Sequence, residues 1–117
     1  MEKFNIKRDG LPPIAFTGEQ IASADNRVGN DGNRANRWTE VSIYRTKGGK
    51  FIAALTRLTC WQGESDRRAA ASFDAAADVI EWLKEGESEL GAVSQEAVEK
   101  ATKAAPEFAA AWVEEVE

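Results

Sequence analysis

The stretch RWTEVSIYRTKGGKFIAALTRLTCW, residues 37–61, decides the fold of this chain. Two runs rich in β-branched and aromatic residues flank Gly48 and Gly49, and this pattern predicts a β-hairpin. If the two glycines form a two-residue turn, Tyr44 faces Ala53 across the hairpin. One side then collects Val41, Ile43, Ile52, Ala54 and Leu58, and the other collects Trp38, Tyr44, Phe51, Leu55 and Trp61. A three-residue turn shifts the pairing and mixes these sets, so the identity of the buried side depends on the turn.

The segments before the hairpin predict further strands. Residues 1–12 form either an edge strand or a tail, and residues 14–24 predict a strand whose apolar alternation shifts phase across Gly18, as at a β-bulge. Residues 25–36 are almost all turn formers, with Asn, Asp and Gly prominent. This stretch is expected to be an exposed loop, either functional or simply without regular structure.

The spacing of apolar residues changes near residue 72, from a period of two to about 3.6, which predicts helices in the rest of the chain. Ser72 is expected to cap a helix over 73–84, and Ser94 is expected to cap a second helix with a flanking pair of valines. A third helix is expected to begin near Pro106. Its apolar stripe consists of Phe108, Trp112 and Val116.

Strands come first and helices last, an order that predicts an α+β fold. We expect an antiparallel three- to four-stranded meander followed by two to three helices packed on one face of the sheet. The length of 117 residues fits a single domain. Within residues 1–117, the expected parts are a tail or edge strand at 1–12, a β-meander over 13–62 with the exposed loop 25–36, and an acidic helical region over 72–117.

The composition excludes several kinds of catalytic and metal site. The chain has no histidine and one cysteine, Cys60, so it cannot assemble a serine–histidine–aspartate triad, a cysteine–histidine pair or a conventional zinc site. The loop 25–36 lacks the ligand spacing of an EF-hand, and Lys47-Gly-Gly-Lys50 lacks the further glycine and the hydroxyl residue of a P-loop. We therefore expect a protein that is not an enzyme and has no cofactor and no metal site. Cys60 is expected to be a buried thiol in a strand.

Two features of the composition bear on location. A single cysteine forms no internal disulfide, and the first residues lack a basic and then apolar start, so we expect a cytoplasmic protein. No run approaches the ~18 to 20 apolar residues that cross a bilayer, and acidic helices are repelled by an anionic lipid surface. We expect no membrane attachment.

Charge is divided unevenly along the chain. Residues 1–72 carry 12 Lys and Arg against 8 Asp and Glu, whereas residues 73–117 carry 3 against 12. Because clustered like charge creates a local field, the acidic half is expected to dock on a basic protein surface, including one that normally holds nucleic acid. The residues expected at this interface are Glu81, Glu85, Glu87, Glu89, Trp61, Glu64 and Asp66. The competing interpretation is ordinary solubilising charge, although the i,i+4 cations that usually accompany it are mostly missing.

The hairpin supports a second hypothesis of a different class. Aromatic side chains interleaved with cations are typical of surfaces that stack unpaired bases and hold phosphates. The candidate residues for single-stranded DNA or RNA are Arg37, Trp38, Tyr44, Arg45, Lys47, Lys50 and Arg57. The competing interpretation places the aromatic residues in the core.

In size and composition, this acidic, histidine-free chain without a catalytic motif resembles the inhibitors that phages and plasmids deploy against host defence nucleases, including anti-CRISPR and antirestriction proteins. The resemblance implies an accessory protein that binds and inhibits a nuclease. Neither the resemblance nor the charge pattern specifies an oligomeric state.

Overall fold

The computed structural model describes residues 1–28 and 35–116, so the middle of the predicted loop 25–36 lies outside the described residues. The described part has an α+β fold in which a curled antiparallel sheet precedes three helices. Its elements are β1 (Glu2–Arg8), β2 (Leu11–Asp25), β3 (Arg37–Thr46), β4 (Phe51–Thr59), β5 (Arg67–Phe73), α1 (Ala76–Leu83), α2 (Ala92–Ala104) and α3 (Pro106–Ala111). The strands lie in the order β1-β2-β3-β4-β5. The α+β prediction is confirmed, but the sheet has five strands rather than the three or four expected.

The hairpin of β3 and β4 has the three-residue turn. The amide of Thr46 donates to the carbonyl of Lys50 at 2.8 Å, and Gly49 adopts a left-handed backbone with φ of 88°. Tyr44 therefore lies opposite Ile52 rather than Ala53. The sets of residues expected from a two-residue turn are mixed, because a shift of one residue exchanges the faces of one strand relative to the other.

The strand missing from the expected count is β5. Ser72 pairs with Ile52 in the sheet, so it does not cap a helix, and α1 begins three residues later than expected, at Ala76. The run Arg67–Phe73 contains three alanines, which disfavour strands locally. Pairing with β4 along its whole length overrides that preference. The expected cap of α2 is also wrong, because α2 begins at Ala92 after Gly91 and Ser94 is a buried residue within the helix. The helix α3 begins at Pro106 as predicted.

The sheet curls so that the turn between β1 and β2 contacts β5. The amide of Asp9, in the β1–β2 turn, donates to the carbonyl of Arg68 at 3.0 Å, and the amide of Arg68 donates back to the Asp9 carboxylate at 2.8 Å. The register of β2 shifts between Gln20 and Ala22, so the bulge lies a few residues beyond the predicted Gly18. Gly18 instead allows β2 and β3 to approach closely, since a Cβ there would lie 2.1 Å from the Arg45 carbonyl oxygen.

Each face of the sheet covers its own apolar cluster. The face toward the helices packs residues of β2, β3 and β4 against all three helices, with Phe108 of α3 fully buried and its ring 5.1 Å from that of Phe51. On the concave face, Tyr44 packs against the rings of Phe4 and Phe16 at 4.9 and 5.4 Å. The helices therefore pack on one face, and the curl of the sheet covers the other. Across the described residues, none of the helices is long and apolar enough to cross a membrane.

Candidate interaction surfaces

Folding joins the basic and acidic parts of the chain through ion pairs. Arg45 donates to Glu107 at 2.6 Å, and Arg57 donates to Glu85 at 2.6 and 2.9 Å. Lys50 and Asp74 make a longer pair of 3.5 Å. These pairs are partly exposed, so each is expected to stabilise the fold by only ~0 to 1 kcal/mol. As a result, carboxylates of residues 73–117, which we call the helical half, compensate cations of the β3–β4 hairpin.

Other carboxylates of the helical half have no such partner. Six exposed acidic residues form no ion pair with any residue in the described ranges 1–28 and 35–116. We call this set the acidic layer, and it consists of Asp78, Glu87, Glu89, Glu99, Glu114 and Glu115. The helical half also carries Lys84 and Lys100, which are paired to Glu81 and Glu96, and Lys103, which is exposed and makes no ion pair among the described residues. The surplus of negative charge that the sequence places after residue 72 therefore lies on the helical surface.

The residues predicted for protein binding fall in two places. Glu81 pairs with Lys84 at 2.9 Å on α1, and Glu87 and Glu89 are exposed in the connection to α2. The other predicted residues, Trp61, Glu64 and Asp66, lie in the β4–β5 connection at one end of the sheet. The two groups approach each other at Arg57, which binds Glu85 and also lines a cavity with Glu64.

That cavity, of about 440 Å³, lies where β3, β4 and β5 meet. Arg37 donates to both oxygens of Glu64, with the shortest contact at 2.7 Å, and the Thr59 hydroxyl donates to Glu64 at 2.6 Å. The hydrogen bonds from Arg37 and Thr59 hold the pKa of the Glu64 carboxyl below its usual range. The wall of the cavity also includes Trp38, Arg57 and Arg67. The cavity is thus rich in arginine, and the one carboxylate among its described lining residues, that of Glu64, is already bound.

Two arginines lie over tryptophan rings at this end of the sheet. The guanidinium of Arg27 is 4.2 Å from the ring centre of Trp38, and that of Arg37 is 5.8 Å from Trp61. Trp61 is half exposed. Both distances suit cation–π attraction, which favours arginine over aromatic faces. Arg27 was not among the predicted site residues, because it lies in a stretch of turn formers where no periodicity indicates which side chains meet.

The structure separates the other residues predicted for nucleic-acid binding. Tyr44 is buried on the concave face, and Arg45 is held by Glu107 while lying 5.5 Å from the ring of Phe51. Lys47 is exposed in the hairpin turn, and Lys50 pairs with Asp74. Only Arg37, Trp38 and Arg57 come together, at the cavity described above.

Cysteine and acidic side chains offer little for metal or covalent chemistry in the described ranges. Cys60 is exposed rather than buried as expected, because β4 ends at Thr59 and the thiol lies in the following turn. Among residues 1–28 and 35–116, no group of three cysteine or carboxylate side chains is arranged to hold a metal ion.

Comparisons with protein-family models, curated proteins and solved structures give no match to this chain.

Proposed function

We propose that this protein is a non-enzymatic binding protein whose helical half docks on a basic protein surface. The observation that carries the proposal is the placement of unpaired charge after folding. Cations of the hairpin are compensated by Glu85, Glu107 and Asp74, whereas the six carboxylates of the acidic layer make no ion pair among the described residues. Lys103, in the last turn of α2, is one exposed cation against these six carboxylates. Clustered negative charge of this kind attracts a cationic surface and accelerates encounter with it.

The class of partner that fits best is a nuclease that normally binds nucleic acid through a basic surface. Such a surface presents arginine and lysine side chains spaced for phosphates, and exposed carboxylates are the protein groups that replace phosphates in pairing with them. The overall charge of −5 makes binding of the helical half to nucleic acid itself unfavourable. We therefore assign the protein to the class of nuclease inhibitors, of the anti-CRISPR or antirestriction type, from a phage or plasmid.

The test is inhibition of DNA cleavage by a panel of purified CRISPR effector nucleases and restriction enzymes. The wild-type protein is expected to inhibit at least one nuclease, and the Glu87→Lys/Glu89→Lys variant is expected to need at least about tenfold more protein for the same inhibition. The matched control is Glu2→Lys/Glu40→Lys, which makes the same charge change at exposed positions of β1 and β3. Equal loss in both variants, or inhibition of no nuclease in the panel, would count against this assignment.

A second candidate function rests on the arginine–tryptophan cavity at the end of the sheet. Trp61 is exposed beside Arg37, and Trp38 lines the cavity with Arg57 and Arg67, so single-stranded nucleic acid has both a stacking surface and cations within reach. Labelled single strands at low salt should then bind, and Trp61→Ala should weaken binding by ~1 to 3 kcal/mol. Trp112→Ala is the matched control, since Trp112 lies beyond α3. Absence of binding to mixed-sequence strands would exclude this candidate.

A further inference from the structure

An apolar groove lies between α1 and the segment that follows α3. Its volume is about 480 Å³, and its apolar wall is formed by Ala77, Ile80, Ala111, Trp112 and Val113. Trp112 is 36% exposed and Val113 is 61% exposed, although both are large apolar side chains. An exposed tryptophan next to an aliphatic wall is the type of feature that a binding partner covers, because a few aromatic anchors usually supply most of the binding energy of an interface.

The exposure of Trp112 follows from where α3 ends. The stripe of Phe108, Trp112 and Val116 predicts a longer helix, but α3 ends at Ala111, and Trp112 leaves the helix with φ of −96° and ψ of 62°. Continuing the helix would place Glu114 and Glu115 at its negative C-terminal end, which the helix dipole disfavours. The last turn of α3 contains no basic residue to offset them. Trp112 thus remains at the rim of the groove.

The rim of the groove is acidic on both sides. Glu81 borders it from α1 and Glu114 from the segment after α3. Among the described residues that line the groove, Lys84 is the one cation, and it is largely covered and paired with Glu81 at 2.9 Å. Glu114 forms no ion pair with a residue in the described part of the chain. An occupant therefore meets an apolar floor with the ion-paired Glu81 on one side and the unpaired Glu114 on the other, and the three described charged groups of the rim leave one net negative charge.

We propose that this groove binds a basic amphipathic helix of the partner protein, with apolar side chains on Trp112 and Val113 and with lysine or arginine side chains on Glu81 and Glu114. This inference rests on the proposed docking on a basic protein and adds the place where the partner is anchored. A helix is the occupant that presents an apolar stripe flanked by cations, which matches the groove in both shape and charge. An acidic segment or a nucleic acid strand would be repelled by the same rim.

The probe is a synthetic peptide of about 14 leucine and lysine residues with leucines at helical spacing, long enough to form an amphipathic helix on binding. The full-length protein is labelled with ¹⁵N, and the indole N–H signals of its four tryptophans are followed during titration. The signal of Trp112 is expected to shift, while those of Trp38 and Trp61, at the other surface, are expected to stay in place. A peptide with glutamate in place of lysine should shift none of them.

Variants separate the groove from general electrostatic attraction. Trp112→Ala and Glu81→Lys/Glu114→Lys are each expected to weaken peptide binding at least about tenfold, because the first removes the anchor and the second reverses the rim. The control Glu2→Lys/Glu40→Lys should change the affinity less than about threefold. Circular dichroism of each variant reports whether the fold is retained, and Trp112→Phe is expected to rescue most of the affinity lost in Trp112→Ala.

The outcomes distinguish the groove from the broader proposal. If the peptide binds and Glu87→Lys/Glu89→Lys weakens it while Trp112 stays unperturbed, the acidic surface docks on cations but the groove is not the anchor, and the inference is wrong. If the lysine and glutamate peptides bind equally, or neither binds, the inference is also wrong. Loss of nuclease inhibition in Glu87→Lys/Glu89→Lys without loss in Trp112→Ala would leave the proposed function standing and remove the groove from it.

Discussion

Replacement of Phe108 by alanine tests whether the helices are held to the sheet as the structure shows. The Phe108 side chain is fully buried, and its ring meets that of Phe51 edge to face at 5.1 Å and 83°. Truncation of a buried phenylalanine costs ~3 to 5 kcal/mol, of which the aromatic pair accounts for ~0.5 to 1.5 kcal/mol. A small domain is stable by ~5 to 15 kcal/mol, so Phe108→Ala should leave the protein close to its unfolding threshold.

The assay is unfolding in urea, followed by circular dichroism and tryptophan fluorescence, with the free energy taken from linear extrapolation. Trp112→Ala is the matched control, because it truncates an aromatic residue one turn further along the chain that is 36% exposed, and it should cost clearly less than Phe108→Ala. Phe108→Leu should recover much of the loss, since it keeps the site filled. A cost below ~1 kcal/mol for Phe108→Ala would refute the packing of α3 on the sheet.

Three further substitutions probe separate features. Gly18→Ala places a Cβ 2.1 Å from a backbone carbonyl of β3 and should cost at least ~1 to 3 kcal/mol in denaturant unfolding. Gly48→Ala places a Cβ in ordinary contact with the Thr46 hydroxyl, 3.9 Å away, and should be nearly neutral. Similar costs for both substitutions would contradict the close approach of β2 and β3. The pKa of Glu64 should be below the usual glutamate range in a carboxyl NMR titration and should rise in Arg37→Ala, and an unchanged titration in Arg37→Ala would exclude this interaction. Because folding lowers the pKa of Glu64, the stabilising effect of its ionised carboxylate is present above the unfolded pKa and is lost as pH falls through the folded pKa. Glu85 has a left-handed φ of 53°, so Glu85→Gly should relieve ~1 kcal/mol of backbone strain. This gain should offset the loss of the ion pair between Glu85 and Arg57 of β4. A net destabilisation above ~1 kcal/mol in denaturant unfolding would show that the ion pair is the larger effect.

The placement of strands before helices could be predicted from the sequence because it depends on local patterns. The alternating residues of β3 and β4 around Gly48 and Gly49, and the proline that begins α3, carry their signals within a few positions. The α+β class follows from that order. The register of the hairpin could not be predicted, since Lys47-Gly-Gly-Lys50 suits both a two-residue and a three-residue turn.

The strand β5 was missed because tertiary pairing decides it. Of its three alanines only Ala70 is buried, and Ser72 and Phe73 match a helix start as well as a strand end. The pairing of β5 with β4 and the contact of Arg68 with the first hairpin join residues far apart in sequence. Such contacts leave no periodic signal.

The candidate surfaces were predicted in part. The concentration of carboxylates after residue 72 is visible in the composition, but the pairing of Arg45 and Arg57 with helical glutamates depends on how the halves pack. The groove beside Trp112 was also hidden, because the apolar stripe predicts that this residue continues a helix. Its exposure follows from the end of α3 at Ala111.

The most direct test of the central claim is the salt dependence of association between this protein and a nuclease that it inhibits. Association and dissociation rates are measured by biolayer interferometry over a range of NaCl concentrations for wild type, Glu87→Lys/Glu89→Lys and the control Glu2→Lys/Glu40→Lys. Glu85 is left unchanged because its ion pair with Arg57 belongs to the fold. We predict that the association rate falls as salt rises, and that the first variant lowers it at least about tenfold at low salt while the control does not. Association rates that are independent of salt and equal in all three proteins would contradict docking through the acidic helical surface.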